Sequence, residues 1–193
     1  MRNPSVLDGK RRHFVSVLLA VAAAVTGVSC RSTPAPAPFK PYYAVDIPFI
    51  EQSGSDDCGP TALAMLIRHS DGKPDLETLR EALMLPALGG TIPALIVAVA
   101  AEKGYHADVW TDNATVLESA LKDGIPLIVL LGPTEPPGPG HYVVVTAITE
   151  TGDGIRMHDG PKRDRWMDRE MFYSRWEKTG YLAITITAFE DLQ

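Results

Sequence analysis

Cysteine occurs twice in the 193-residue chain, at Cys30 and Cys58. Cys58 stands in Asp56-Asp57-Cys58-Gly59-Pro60, where a polar loop gives way to an apolar run, Thr61 to His69. Proline is tolerated in a first helical turn, so the spacing predicts a helix that starts near Cys58. A thiol at a helix start meets free N–H groups and the positive end of the helix dipole, and both favour the thiolate, the reactive form. Gly59 leaves room beside the sulfur for a substrate backbone. An inert core cysteine belongs inside an apolar run, whereas this one follows two aspartates. Its surroundings point to a nucleophile.

A thiolate nucleophile needs a base. His69 lies about 11 residues down the same helix, ~16 Å away at the helical rise, and cannot reach. His106 opens a short strand, with no acid read as placed to orient it. His141 follows a loop rich in glycine and proline (Gly132 to Gly140) and opens a β-branched strand. A strand end after such a loop faces a cleft, so His141 is the candidate base. Asp159 ends the next strand, on the face shared by Ile155 and Met157, while His158 points the other way. A short hairpin brings Asp159 beside His141, where it would orient the ring. Asp153 sits in the far turn. Gln52, six residues before Cys58, could donate its side-chain amide to an oxyanion together with the Cys58 backbone N–H.

These residues need a scaffold. The pattern predicts a strand over 43–50 and helices over 58–69, 75–85, 92–103 and 114–122, with Thr91 and Asn113 as candidate caps. Strands are expected over 106–110, 125–131, 141–148, 155–159 and 181–188, and a short helix over 168–178. Helices first and antiparallel strands after make an α+β pattern. Tyr142, Trp166, Phe172 and Trp176 read as core and cleft wall.

The segment Gln52-Ser-Gly-Ser-Asp-Asp-Cys58-Gly-Pro-Thr-Ala-Leu-Ala-Met, then Gly140-His141-Tyr-Val-Val-Val, then His158-Asp159-Gly, resembles the bacteriocin-processing peptidases that cut after double-glycine leaders, papain-like family C thirty-nine. The resemblance covers about residues 45–187. It implies a papain-like cysteine peptidase fold, with N-terminal helices packed on a C-terminal antiparallel sheet. Carried over, Cys58 is the nucleophile, His141 the base, Asp159 the orienting acid and Gln52 the oxyanion donor. Proline commonly follows the aspartate in that family, and Gly160 stands here instead. The sequence contains no Gly-x-x-x-x-Gly-Lys-Ser/Thr phosphate-binding run. The resemblance is therefore closer to stand-alone, lipoprotein-type members than to the transporters that process bacteriocins.

The amino-terminal region carries a different message. Lys10, Arg11 and Arg12 precede an uncharged stretch, Phe14 to Ser29, which is a secretory signal layout. The run Val25-Thr-Gly-Val-Ser-Cys30 resembles a bacterial lipobox, which implies lipidation of Cys30. A tether with alternating proline and alanine follows. The expected division is a signal over 1–29, the lipidated cysteine and tether over 30–41, and one peptidase domain over 42–193. Removing residues 1–29 takes away four of 18 basic and one of 24 acidic residues, leaving a net charge of −9. That acidity argues against nucleic acid as a partner. Membrane attachment would rest on the lipid.

The composite expectation is an exported, membrane-anchored cysteine peptidase of the cell envelope, on the periplasmic side, that cuts a peptide or protein through a thioester. An amidase or acyltransferase acting on envelope peptides would keep the same residues. A papain-like module that only binds peptides would not need the thiol. No cofactor is expected, because no His-Glu-x-x-His and no paired-cysteine motif is present.

Overall fold

The computed structural model describes residues 41–192. The signal segment, Cys30 and all of the tether except Pro41 lie outside the described residues. Three helices come first: α1 (Cys58–His69), α2 (Leu76–Leu83) and α3 (Pro93–Glu102). The strands are β1 (Pro41–Ala44), β2 (Tyr105–Trp110), β3 (Leu127–Leu131), β4 (His141–Thr149), β5 (Gly154–Asp159), β6 (Lys162–Asp168) and β7 (Ala183–Ala188). Two more helices, α4 (Val116–Lys122) and α5 (Arg169–Glu177), interrupt the strand series. The strands form one antiparallel sheet in the order β2-β7-β3-β4-β5-β6, with β1 paired to β4. This is the expected α+β architecture.

Apolar sequence and burial agree closely in the central elements. In α1 every residue from Gly59 to Ile67 is buried, so this helix runs through the core instead of lying on it. β4 is buried from Tyr142 to Ile148, as a β-branched strand between two neighbours should be. Phe172 and Trp176 of α5 are fully buried, and Tyr142 is nearly so. Trp166 is exposed at the 36% level, on the outer strand β6.

Some local expectations are corrected. The predicted strand over 43–50 ends at Ala44. Val45 still donates to Thr146 O at 2.8 Å, but Pro48 has no N–H to continue a ladder. Thr91 does not cap α3; the cap position is Ile92, without a side-chain bond, and Pro93 opens the helix. Asn113 turns the chain before α4 by accepting from the Thr115 N–H at 3.0 Å, and the helix begins later, at Val116. The whole of β6 was not expected, since its sequence, Lys-Arg-Asp-Arg-Trp-Met-Asp, is dominated by charge.

Candidate active site

Cys58 is the first residue of α1, as its sequence context predicts. Close packing positions this helix start. A Cβ added at Gly59 would lie 2.7 Å from Thr91 Cβ and 2.8 Å from Thr91 Oγ1, so only glycine lets the 89–93 loop rest on the turn that carries the thiol. From the other side, Asp57 anchors the incoming loop. It is 5% exposed. It accepts from Gly54 N at 3.1 Å, from Ser53 Oγ at 3.2 Å, and from Arg80 Nε and Nη2 of α2 at 3.0 and 2.7 Å. Burial works against its charge, but the bonds from Arg80, Gly54 and Ser53 outweigh burial and hold its carboxyl below the usual range. Sequence reasoning took Asp56-Asp57 only as loop polarity and gave Arg80 no role.

His141 opens β4 and faces Leu131 of β3. On the other flank, β5 pairs Val144 with His158 and Val145 with Met157. Continuing that register sets Asp159 level with Val143, one alternation from His141 on the same face. The contact follows: His141 Nε2 and Asp159 Oδ1 are 2.6 Å apart. The second carboxylate oxygen of Asp159 accepts from Arg165 Nη1 of β6. Asp159 is 8% exposed.

Hydrogen bonds to Asp159 and then to Cys58 push the His141 ring up to about 9, against the opposing effect of burial. Burial pushes the Asp159 carboxyl up, but the bonds from His141 and Arg165 prevail and bring it down to about 2. The arrangement therefore holds an imidazolium between a carboxylate and a sulfur. Tyr142 is raised by burial first and by the neighbouring Cys58 second. Its hydroxyl donates to Thr91 O at 3.3 Å, tying β4 to the 89–93 loop.

Cys58 and His141 lie together in a cleft of about 410 Å³. Leu88 to Pro93 form one wall, and Leu130, Pro139 and Gly140 line the other. Leu88 and Ile92 present 65% and 39% of their surfaces to solvent, so the rim of this wall is apolar. Gly89 is left-handed at φ +58°, and a side chain added at Gly90 would meet only open space.

The other sequence candidates are placed as follows. Gln52 sits beside the Asp159-Gly160 turn, its backbone N–H donating to Gly160 O at 3.3 Å. Its side-chain amide donates to Gly54 O at 2.6 Å and is not among the groups lining the cleft. His69 bonds Asp46 O at 3.1 Å, at the far end of α1. His158 is buried, bonds Ile47 O at 3.0 Å, and meets Phe49 edge-on. His106 has an acid after all, Asp108 at 3.1 Å, because residues two apart on a strand share a face. Both stand on the edge strand β2, away from the cleft. Arg165 was missed because β6 was missed. Strand alternation over 162–168 would have set it on the Asp159 face. Among the described residues no group of three or more His, Cys, Asp or Glu is arranged to hold a metal ion.

The profile of the peptidase C39-like family matches residues 44–184, and the chain belongs to that family. Among solved structures, the peptidase domain of Streptococcus ComA, a bi-functional ABC transporter of a quorum-sensing pathway, superposes with a TM-score of 0.60 at 27% identity. The match covers 76% of this chain and 98% of that one. A double-glycine-motif protease from an AMS/PCAT transporter, in complex with its leader peptide, gives 0.60 at 19% identity over 76% of this chain and 95% of that one. The N-terminal peptidase C39-like domain of the toxin secretion ATP-binding protein from Vibrio parahaemolyticus gives 0.52 at 16%, over 70% and 99% of the two chains. No curated protein matches. The fold is thus that of C39 peptidase domains, as the residue pattern implied.

Proposed function

We propose that the protein is a cysteine peptidase that hydrolyses a peptide bond through Cys58, His141 and Asp159. The observation that carries this reading is the single cleft in which a helix-start thiol meets a histidine held at 2.6 Å by a buried carboxylate. Cys58 Sγ, as the thiolate, attacks the scissile carbonyl carbon. The C–N bond breaks as imidazolium His141 gives its proton to the leaving amine, and a thioester remains on Cys58. Neutral His141 then takes a proton from water as the oxygen attacks the thioester. The carboxylic acid leaves, and the thiolate–imidazolium pair is restored. Asp159 keeps the ring oriented throughout.

The oxyanion formed in each step lies near the Cys58 N–H, at the start of α1. Gln52 is the second donor in this reading. Its amide then has to turn from Gly54 O toward the cleft when substrate enters. The substrate is an extended peptide lying between the Leu88–Pro93 wall and Pro139-Gly140. The Streptococcus and AMS/PCAT relatives make a peptide ligand a natural expectation. The signal layout and Cys30 add a place: an exported, lipid-anchored protein of the cell envelope, on the periplasmic side.

The test is labelling with an iodoacetamide or vinyl-sulfone probe, followed by intact-mass measurement and turnover of a peptide library. One label on Cys58 together with cleavage lost in Cys58→Ala supports the reading. An unlabelled Cys58 with no hydrolysed peptide would reduce the protein to a peptide binder. Transfer to added amines without hydrolysis would make it an acyltransferase. Mass analysis of the mature amino terminus, with and without a diacylglycerol on Cys30, tests the anchor.

A further inference from the structure

We propose that Arg165 is a positioning residue of the site, clamping one oxygen of Asp159 so that the other stays aimed at His141. The proposal rests on the reading above, in which His141 and Asp159 serve Cys58. A carboxylate buried to 8% exposure has two oxygens to satisfy. Oδ1 meets His141 Nε2 at 2.6 Å, and Oδ2 accepts from Arg165 Nη1. Imidazole and guanidinium therefore hold the same group through different oxygens.

The sheet explains why Arg165 is the residue that arrives there. β6 pairs Arg165 with Met157 and Lys162 with Asp159, and the register shifts between them. Alternation puts Arg165 on the face of Met157 and Asp159. Arg156, Asp164 and His158 make their own contacts on the opposite face. Asp159 thus has charged neighbours on three elements: His141 from β4, Arg165 and the carboxylate's own register partner Lys162 from β6, and Arg175 from α5. Cys58, from α1, acts on the His141 ring as well and favours its charge. Arg175 is committed elsewhere, its Nε donating to Gly132 O at 2.9 Å. Lys162 and Asp159 form no salt bridge, so Arg165 joins His141 as the second group that binds the carboxylate directly.

Two consequences follow. Without the guanidinium, only His141 would oppose the burial that favours the neutral acid, and the share of Asp159 left neutral could not stabilise an imidazolium. The carboxyl would also be free to turn about its last side-chain bond and carry Oδ1 off the ring. Both effects act through Asp159 on His141, so Arg165 positions and does not itself react.

The experiment follows the His141 ring proton and carbon resonances by NMR between pH 2 and 10. It compares the full chain with Arg165→Met, Arg165→Gln and Arg165→Lys. The low-pH inflection, which reports protonation of Asp159, is expected to rise by about 1–3 pH values in Arg165→Met, the size of an adjacent arginine's effect on an aspartate. Arg165→Gln keeps a donor without charge and should show most of that rise, whereas Arg165→Lys should show little. The acid limb of kcat/KM on a peptide substrate should move by the same amount, with KM unchanged. Arg165→Met that melts like the parent and leaves the His141 inflection in place would overturn the proposal. If Arg165→Met fails to fold, the Gln and Lys pair decides the same question, because Lys keeps the positive charge and Gln keeps a donor without it. The ring titration needs no substrate. A protein that cleaves nothing would therefore refute the peptidase reading while the resonances still judge Arg165.

Discussion

Asp57, the residue before Cys58, is buried against Arg80 of α2, with contacts of 3.0 and 2.7 Å to Nε and Nη2. The same guanidinium reaches Ser53 Oγ at 2.5 Å. One arginine thus pins both ends of the loop that delivers the thiol to its helix. Arg80→Ala should strand a desolvated carboxylate at Asp57. The pair is only partly buried, since a quarter of the Arg80 side chain is open to water. The expected loss is therefore about 1–3 kcal/mol, below that of a fully buried pair. Urea unfolding measures it. Arg80→Met/Asp57→Asn removes both charges and should recover part of the loss. A double variant as unstable as Arg80→Ala would show that loop packing, and not the stranded charge, causes the defect.

Asp159→Asn should narrow the pH range over which the thiol reacts. The bond to Asp159 is the largest cause of the rise of His141 from 6.5 to about 9. Asparagine can still bond the ring but does not favour its charge, so His141 should lose its proton at lower pH. The basic limb of kcat/KM on a peptide substrate, where His141 must give its proton to the leaving amine, moves down accordingly. His141→Ala removes the base outright and should cost more, since a thiolate–imidazolium pair can form without its third member. The stability effect has a definite sign. A raised histidine stabilises the fold fully below its ordinary 6.5 and loses that contribution as pH rises through about 9. Asp159, lowered from 3.8 to about 2, contributes above 3.8 and loses its share as pH falls through about 2. An Asp159→Asn protein with the parent's rate and pH limits on that substrate would reduce Asp159 to a turn residue.

Gly59→Ala should disturb the cleft without touching the reacting groups. Its new methyl would fall 2.7 Å from Thr91 Cβ, closer than side chains tolerate. Thr91 lies on the wall loop, and its carbonyl accepts the Tyr142 hydroxyl. Overpacking of this kind costs about 1–3 kcal/mol. The wall should shift, raising KM more than it lowers kcat. Thr91→Gly removes the opposing side chain, so Gly59→Ala/Thr91→Gly should regain much of the lost affinity for substrate. Equal KM values for the single and double variants would mean that the two residues are not coupled.

The three residues that the fold brings together at the candidate site were legible because each follows a short-range rule. Cys58 is marked by a polar-to-apolar switch and Pro60, His141 by a glycine- and proline-rich loop before a β-branched run, and Asp159 by alternation within one hairpin. What was not legible depends on pairing between distant segments. Arg80 meets Asp57 across 23 residues, and nothing local to either announces it. Arg165 is only six residues from Asp159, but it lies on a strand whose charged sequence hides its period. The strand expected over 43–50 failed for a related reason. Val45 and Ile47 are buried, yet Pro48 breaks the ladder, so alternating burial with little pairing mimicked a strand.

Gln52 supplies the sharpest remaining test, because its position beside the Asp159-Gly160 turn agrees with the proposed role while its side-chain bond does not yet serve it. The amide donates to Gly54 O at 2.6 Å in the ligand-free chain. As an oxyanion donor it must leave that carbonyl when the tetrahedral intermediate forms. Its contribution then belongs to the transition state, and Gln52→Ala should lower kcat by about 10²–10³ with little change in KM. Loss of the Gly54 bond from a half-exposed side chain should cost only about 0.5–1.5 kcal/mol in folding. Gln52→Glu keeps the shape and removes the donor, so it should be as slow as Gln52→Ala while retaining the backbone bond to Gly160. Single-turnover acylation, read as release of a chromogenic leaving group, separates this step from hydrolysis of the thioester. If Gln52→Ala instead raises KM and destabilises the fold with kcat intact, the glutamine holds the Gly54 turn. The oxyanion would then rest on the backbone N–H groups at the start of α1 alone.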